Sequence, residues 1–287
     1  MSKIKIHFLA CSGNVNGELL DLLARQTPKC SGEWGNIKGV HDPKDADFFI
    51  AWGVPPNKML APHRTIFLEI EPPHRSNYFC KEHPVRERVL YSKRMQNFPA
   101  HWFLDKTYDE LSNITVPPKT KKMSCILSKK LIEYGRILRV KFAAEFCRRH
   151  SDDMDMYGTA SSLPDFAGIE VGKVSHSLFK DSALTDYKYH MNMENGQSLN
   201  YFSEKFTDGL LMWCTPVYWG CPNIAEMFPE NSFIPFDVTD LNETGRIADL
   251  VNSDFYEKNI DALKEARHLL LNRYNVWPTL DRMFKKL

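Results

Sequence analysis

Residues 187–237 carry the pattern that most restricts what this chain can fold into. The run 187–193 (YKYHMNM) is strand-like and breaks at the polar Glu194-Asn195-Gly196-Gln197. A helix is expected from about 200 to 213, where Ser198 or Asn200 can cap it by accepting a bond from a free backbone N–H of the first turn. Phe202, Phe206, Leu210 and Trp213 then share one face, and Glu204 and Lys205 project beside it in the first turn. A short apolar strand, 215–219, follows and stops at Gly220. Strand, polar loop, helix, strand is the βαβ rhythm of a nucleotide-binding domain. Ligands of such sheets sit beyond the strand carboxyl ends, against helix N-termini whose free N–H groups and dipole favour phosphate. Glu194-Asn195 and Glu204-Lys205 both fall at that edge.

The rest of the chain repeats β-α alternation. Strands are expected at 3–10, 47–53 and 64–71, with a helix at about 18–26. The intervening loop, Gly13 to Gly17, matches neither GxGxxG nor a P-loop. The stretch 115–122 (TVPPKTKK) reads as a linker. Beyond it come a strand at 123–127, a long helix at about 132–150 and a strand ending at Tyr157-Gly158. Helices follow at 241–251 and 255–274; Pro278 is expected to break the second, leaving a last helix at 279–286. The division is therefore α/β in two Rossmann-like domains facing a cleft. An N-terminal domain spans 1–118 and a C-terminal domain 119–287, the last helices packing back on the first.

At 287 residues the chain has room for two such domains. A net charge of +1 excludes a global field for nucleic acid or a membrane surface, so anion recognition must be local. The lysines at 119–122 and 129–130 have no interleaved aromatics and read as solvated linker, not an RNA site. Seven cysteines without a CxxC pair fit reduced thiols, and the N-terminus begins like a strand with too short an apolar core for a signal peptide or anchor. A cytoplasmic protein with no transmembrane segment is the expectation.

Glu194-Asn195, Tyr201, Ser203-Glu204-Lys205, Pro216-Val217-Tyr218-Trp219-Gly220 and Asn231-Ser232-Phe233-Ile234 together resemble the signature of the α1,3/4-fucosyltransferases, glycosyltransferase family 10. The resemblance implies a GT-B architecture and inverting transfer of L-fucose from GDP-fucose to a hydroxyl of a glycan acceptor, α1,3 to a GlcNAc- or Glc-containing sugar. It also implies a bare catalytic unit, without the anchor and stem of animal relatives. Two other readings stand beside it: a GT-B transferase with a different nucleotide-sugar donor, and a catalytically silent sugar-nucleotide or glycan-binding protein.

Within the resemblance, Glu71 matches the general base, because Leu68-Glu69-Ile70-Glu71-Pro72 is similar to the family's Glu-Ser-Pro element, with Pro72 in place of serine. Glu69 lies two residues earlier on the same strand side, and His74 three residues later; both are weaker acceptor-contact candidates beside plain solvated roles. Arg139 in Arg139-Val140-Lys141-Phe142 matches the diphosphate-holding arginine, with Arg136 one turn earlier as the alternative. Arginine offers a bidentate fork and Lys205 a point charge. Glu204 is assigned to the ribose hydroxyls, Glu194 and Asn195 to the donor sugar and phosphates, and Tyr201 to the nucleotide pocket. Tyr157-Gly158 matches a strand end before the base pocket. No cofactor is required and no divalent metal is expected to be essential. The two Asp-x-Asp strings, 45–47 and 153–155, read as strand-entry turns.

Overall fold

A computed structural model describes residues 2–10, 16–52, 61–68, 87–89, 100–131, 134–174 and 180–286. Among these, two six-stranded sheets form. The first contains β1 (Ile4–Ala10), β2 (Glu33–Trp34), β3 (Ile37–Gly39), β4 (Phe48–Trp52), β5 (Thr65–Leu68) and β6 (Glu87–Val89), in the order β2-β3-β1-β4-β5-β6. Only β2 runs antiparallel, to β3. Helix α1 (Asn16–Ala24) packs on this sheet. After α2 (Tyr108–Asn113) the second sheet begins with β7 (Lys121–Leu127), followed by α3 (Tyr134–Arg149), β8 (Met154–Gly158), β9 (Val171–Gly172) and β10 (Tyr187–Met193). Helix α4 (Glu204–Leu211), β11 (Thr215–Trp219) and β12 (Ile234–Pro235) complete it, in the order β12-β11-β10-β7-β8-β9, all parallel.

Parallel strands covered on both faces need nearly unbroken apolar runs. β11 supplies one, and β10 is covered as fully although His190 and Asn192 are polar: every residue of the two strands but Lys188 is buried. Pro216 is accommodated inside β11 because the ladder to β12 begins only at Val217, so its missing N–H costs no bond there.

Helices α5 (Glu243–Val251), α6 (Phe255–Lys258) and α7 (Ile260–Leu269) cover the second sheet, and a π-turn over Leu270–Tyr274 leads to α8 (Val276–Phe284). Pro278 is not the expected breaker. It sits in the first turn of α8, where no intrahelical N–H is needed, and the bend falls at Asn275, whose side chain accepts from Trp277 N. This last helix packs into the core of the first sheet: Val276, Trp277, Leu280, Met283 and Phe284 join Ile6, Phe8 and Leu23. Trp277 meets Phe8 edge-on at 5.5 Å and donates Nε1 to Leu23 O at 2.7 Å.

The lysine run is also not wholly solvated. Lys119 donates to the carbonyls of Leu184, Thr185 and Met212 at 3.1, 2.9 and 2.7 Å, a staple that holds the linker against the second core. Lys121 and Lys122 pair with Asp155 and Asp153 at 2.9 and 2.6 Å, so the second Asp-x-Asp string is a strand entry tied to its neighbour strand. Among the described residues no helix is long and apolar enough to cross a membrane.

Candidate functional site

The site is built from the junction of β10 and α4. Helix α4 starts later than the periodicity implies, at Glu204, and Ser203 rather than Ser198 or Asn200 caps it. Two local facts move the start. Asn200 has φ +62°, outside the helical region, and its N–H goes to Asn223 Oδ1 at 2.8 Å. Ser203 is held by Glu194, which accepts from its N at 2.8 Å and its Oγ at 2.9 and 2.7 Å. Glu194 is fully buried and donates its own N–H to Trp219 O at 2.9 Å. The loop after β10 and the first turn of α4 thus form one rigid corner.

From that corner Glu204 and Lys205 reach a cleft of about 430 Å³ that also takes in Arg139, Asn195 and Tyr201. Five of the six expected donor-binding residues therefore meet in one place. Glu194 stands behind the wall, 3.5 Å from Lys205 Nζ, where it orients the lysine. The base and acceptor candidates Glu69, Glu71 and His74 lie outside the described residues. Tyr157 is turned elsewhere, to a 2.6 Å hydrogen bond with Tyr187 and a second cavity.

Arg139 is 5% exposed and donates from Nη1 to Asn195 Oδ1 at 3.0 Å and to Met193 O at 3.3 Å. Its Nε has no partner, and no carboxylate pairs with it among the described residues. Burial, then the neighbouring Arg136, push its pKa below the ordinary value. A buried guanidinium facing a cavity with neutral hydrogen-bond partners and a spare N–H is suited to receive an anion.

Around it, Lys205 Nζ lies 3.2 Å from Glu204, and Lys180 lies 3.7 Å from Glu204 and 2.9 Å from Asp208. Burial would raise the Glu204 pKa, but Lys205 and Lys180 overcome it and hold the carboxyl well below the usual range. Burial opposes protonation of Lys205 too, yet Glu204 and Glu194 keep its pKa raised. Both charges are thus fixed across the neutral range. Asp208 behaves oppositely: burial, against the pull of Lys180, lifts it to about 6. Among the described residues, five cationic side chains line the cleft, Lys130, Arg136, Arg139, Lys180 and Lys205, against the carboxylates of Glu204 and Asp208. The wall attracts anions.

Lys180, Asp208, His101, Phe103 and Trp52 join the cleft without having been singled out from the sequence. Asp208 had a readable signal, lying four residues after Glu204 on the same helix face. Lys180 and the 101–103 segment arrive by tertiary packing, with Phe103 N donating to Asp208 at 3.0 Å.

Gly135, in the first turn of α3, is required by the close approach of that helix to the Asn195 loop. A Cβ there would stand 2.1 Å from Asn195 O, a backbone atom. Gly135→Ala should force the loop back at an overpacking cost of about 1–3 kcal/mol, lowering Tm by several degrees in a thermal melt. An unchanged Tm would show that the loop yields freely.

Residues 116–259 match the family model of glycosyltransferase family 10 (fucosyltransferase), C-terminal part. An α-(1,3)-fucosyltransferase of Helicobacter pylori is 36% identical over 55 residues, 19% of this chain and 12% of the relative. The match therefore spans about an eighth of that protein's length. A crystal structure of an α1,3-fucosyltransferase superposes with TM-score 0.51 at 13% identity, covering 96% of this chain and 92% of the other. A complex of an α1,3-fucosyltransferase with GDP gives 0.51 at 14% identity and the same coverage. At these identities the structural matches establish the fold, two α/β domains in the GT-B arrangement.

Proposed function

Because the chain belongs to glycosyltransferase family 10, the fucosyltransferase family, we propose that it transfers L-fucose from GDP-fucose to a hydroxyl of a glycan acceptor, with inversion. The observation that carries this reading is Arg139: a buried cation with a spare N–H, beside Lys205, at the carboxyl edge of a parallel sheet. A diphosphate supplies the missing acceptors, two or three oxygens for the guanidinium fork and one for the lysine. Glu204, ionised at neutral pH, suits the ribose hydroxyls as an acceptor of their hydrogen bonds, and Tyr201 lines the nucleotide pocket.

In the proposed reaction Glu71 takes the proton of an acceptor hydroxyl. The oxygen forms a bond to the anomeric carbon as the bond from that carbon to the diphosphate oxygen breaks. GDP leaves with the electron pair, and Arg139 and Lys205 take up the charge. The reading assigns no role to a divalent cation. The H. pylori relative's α-(1,3) name supports an α1,3 linkage here, and the proposed acceptor is a GlcNAc- or Glc-containing sugar.

A thermal-shift panel of GDP-fucose, GDP-mannose and UDP-sugars tests the donor. Ligand at about 100 times Kd adds about 2.7 kcal/mol to stability, enough for a clear Tm rise. GDP-fucose is expected to stabilise, and labelled fucose is expected to appear on a glycan of an acceptor array. Stabilisation by a UDP-sugar alone would overturn the assignment, and tight GDP-fucose binding without transfer to any glycan would leave a binding protein in its place.

A further inference from the structure

His101 is a polar side chain of the cleft with no part in holding a diphosphate. It is 6% exposed, and its Nδ1 has no hydrogen-bond partner among the described residues. The ring stands edge-on to Trp52 at 5.0 Å and 80°, and to Phe103 at 5.1 Å and 78°. Trp52 is the last residue of β4, in the first sheet. The His101 carbonyl, on the other side, accepts from Thr207 Oγ1 of α4 at 2.7 Å. The imidazole is therefore clamped where the two halves of the molecule meet, beside the helix that carries Glu204 and Lys205.

Its charge state narrows what it can bind. Burial, reinforced by Lys180 and Lys205 against Glu204, brings the pKa down to about 4. At neutral pH the ring is uncharged, with one donor and one acceptor nitrogen. That is a poor phosphate ligand in a cleft already supplied with cations. It suits a hydroxyl, which both gives and takes a hydrogen bond. The flanking indole and phenyl rings offer the apolar surface on which sugar C–H groups pack. A sugar joined to a diphosphate at Arg139 and Lys205, and presented to an acceptor on the first half, must cross this junction.

Resting on the fucosyl-transfer reading, we propose that His101 is a specificity-determining residue that hydrogen-bonds a hydroxyl of the transferred sugar, with Trp52 and Phe103 forming the apolar wall of the same subsite. The inference separates two ligands that share every nucleotide contact: GDP-fucose has the sugar and GDP does not.

Calorimetric titration of both ligands into wild type, His101→Leu and His101→Gln tests it. Losing one neutral hydrogen bond should weaken GDP-fucose roughly three- to tenfold in His101→Leu, with GDP unchanged within about twofold and His101→Gln recovering part of the loss. Equal weakening of both ligands would make His101 merely structural and overturn the proposal, as would unchanged GDP-fucose affinity. Wild type binding neither ligand would instead sink the fucosyl-transfer reading and this inference with it. Should either variant unfold, nitrogen-15 histidine spectra of the wild type decide: His101 ring signals are expected to move with GDP-fucose but not with GDP, and identical responses would refute the contact.

Discussion

Replacing Arg139 by alanine should lower kcat/KM for GDP-fucose by about 10²–10³, the range seen when one preorganised donor to a developing anion is removed. The physical basis is the imbalance around the guanidinium. It is 5% exposed and, among the described residues, bonded only to Asn195 Oδ1 and Met193 O. The same imbalance predicts an unusual stability result. A buried cation whose hydrogen-bond partners are neutral and whose burial outweighs the pull of Glu194 and Glu204 costs free energy, so Arg139→Ala should melt at or above the wild-type Tm while losing the GDP-induced rise. Arg139→Lys keeps a charge but not the planar fork, and an intermediate loss is expected. Steady-state kinetics and thermal melts with and without GDP check both halves. A kcat/KM within threefold of wild type would remove Arg139 from the mechanism.

The parts of this site that were readable in the sequence are those set by short-range pattern. The strand-like run 187–193 and the apolar run 215–219 specify parallel strands, and the polar break between them falls at a sheet edge. Glu204 and Lys205 follow from that placement. The start of α4 was misread because Phe202 keeps the helical spacing and is fully buried, although its backbone lies outside the helix. What decides the start is a contact between residues 194 and 203, which no periodicity reports. Lys119 and Lys180 were opaque for a related reason. A lysine in a loop looks solvated until the carbonyls or the carboxylate that capture it are in place. Pro278 was given its usual meaning as a breaker, and a helix beginning two residues earlier removes that meaning.

The second large effect belongs to the proposed base. Glu71→Gln should reduce transfer by about 10²–10⁴, the usual contribution of a positioned general base, with GDP affinity unchanged. The described part of β5 ends at Leu68, the register partner of the cleft-lining Trp52. Glu71 follows three residues later in the chain. The second half offers two competitors, and their environments argue against both. Glu204 is held ionised by Lys205 and Lys180, which makes it a weak acceptor of a proton. Asp208 has the right proton affinity, at about 6, but its carboxylate is 1% exposed and occupied by Phe103 N and the Lys180 ammonium. Asp208→Asn should therefore cost about ten- to a hundredfold at most, through a less firmly held Lys180, a hydrogen bond to a charged group being worth about 1.5–3 kcal/mol. Should Asp208→Asn abolish transfer while Glu71→Gln leaves it intact, the base sits on the nucleotide-binding half, and the two-walled mechanism is wrong.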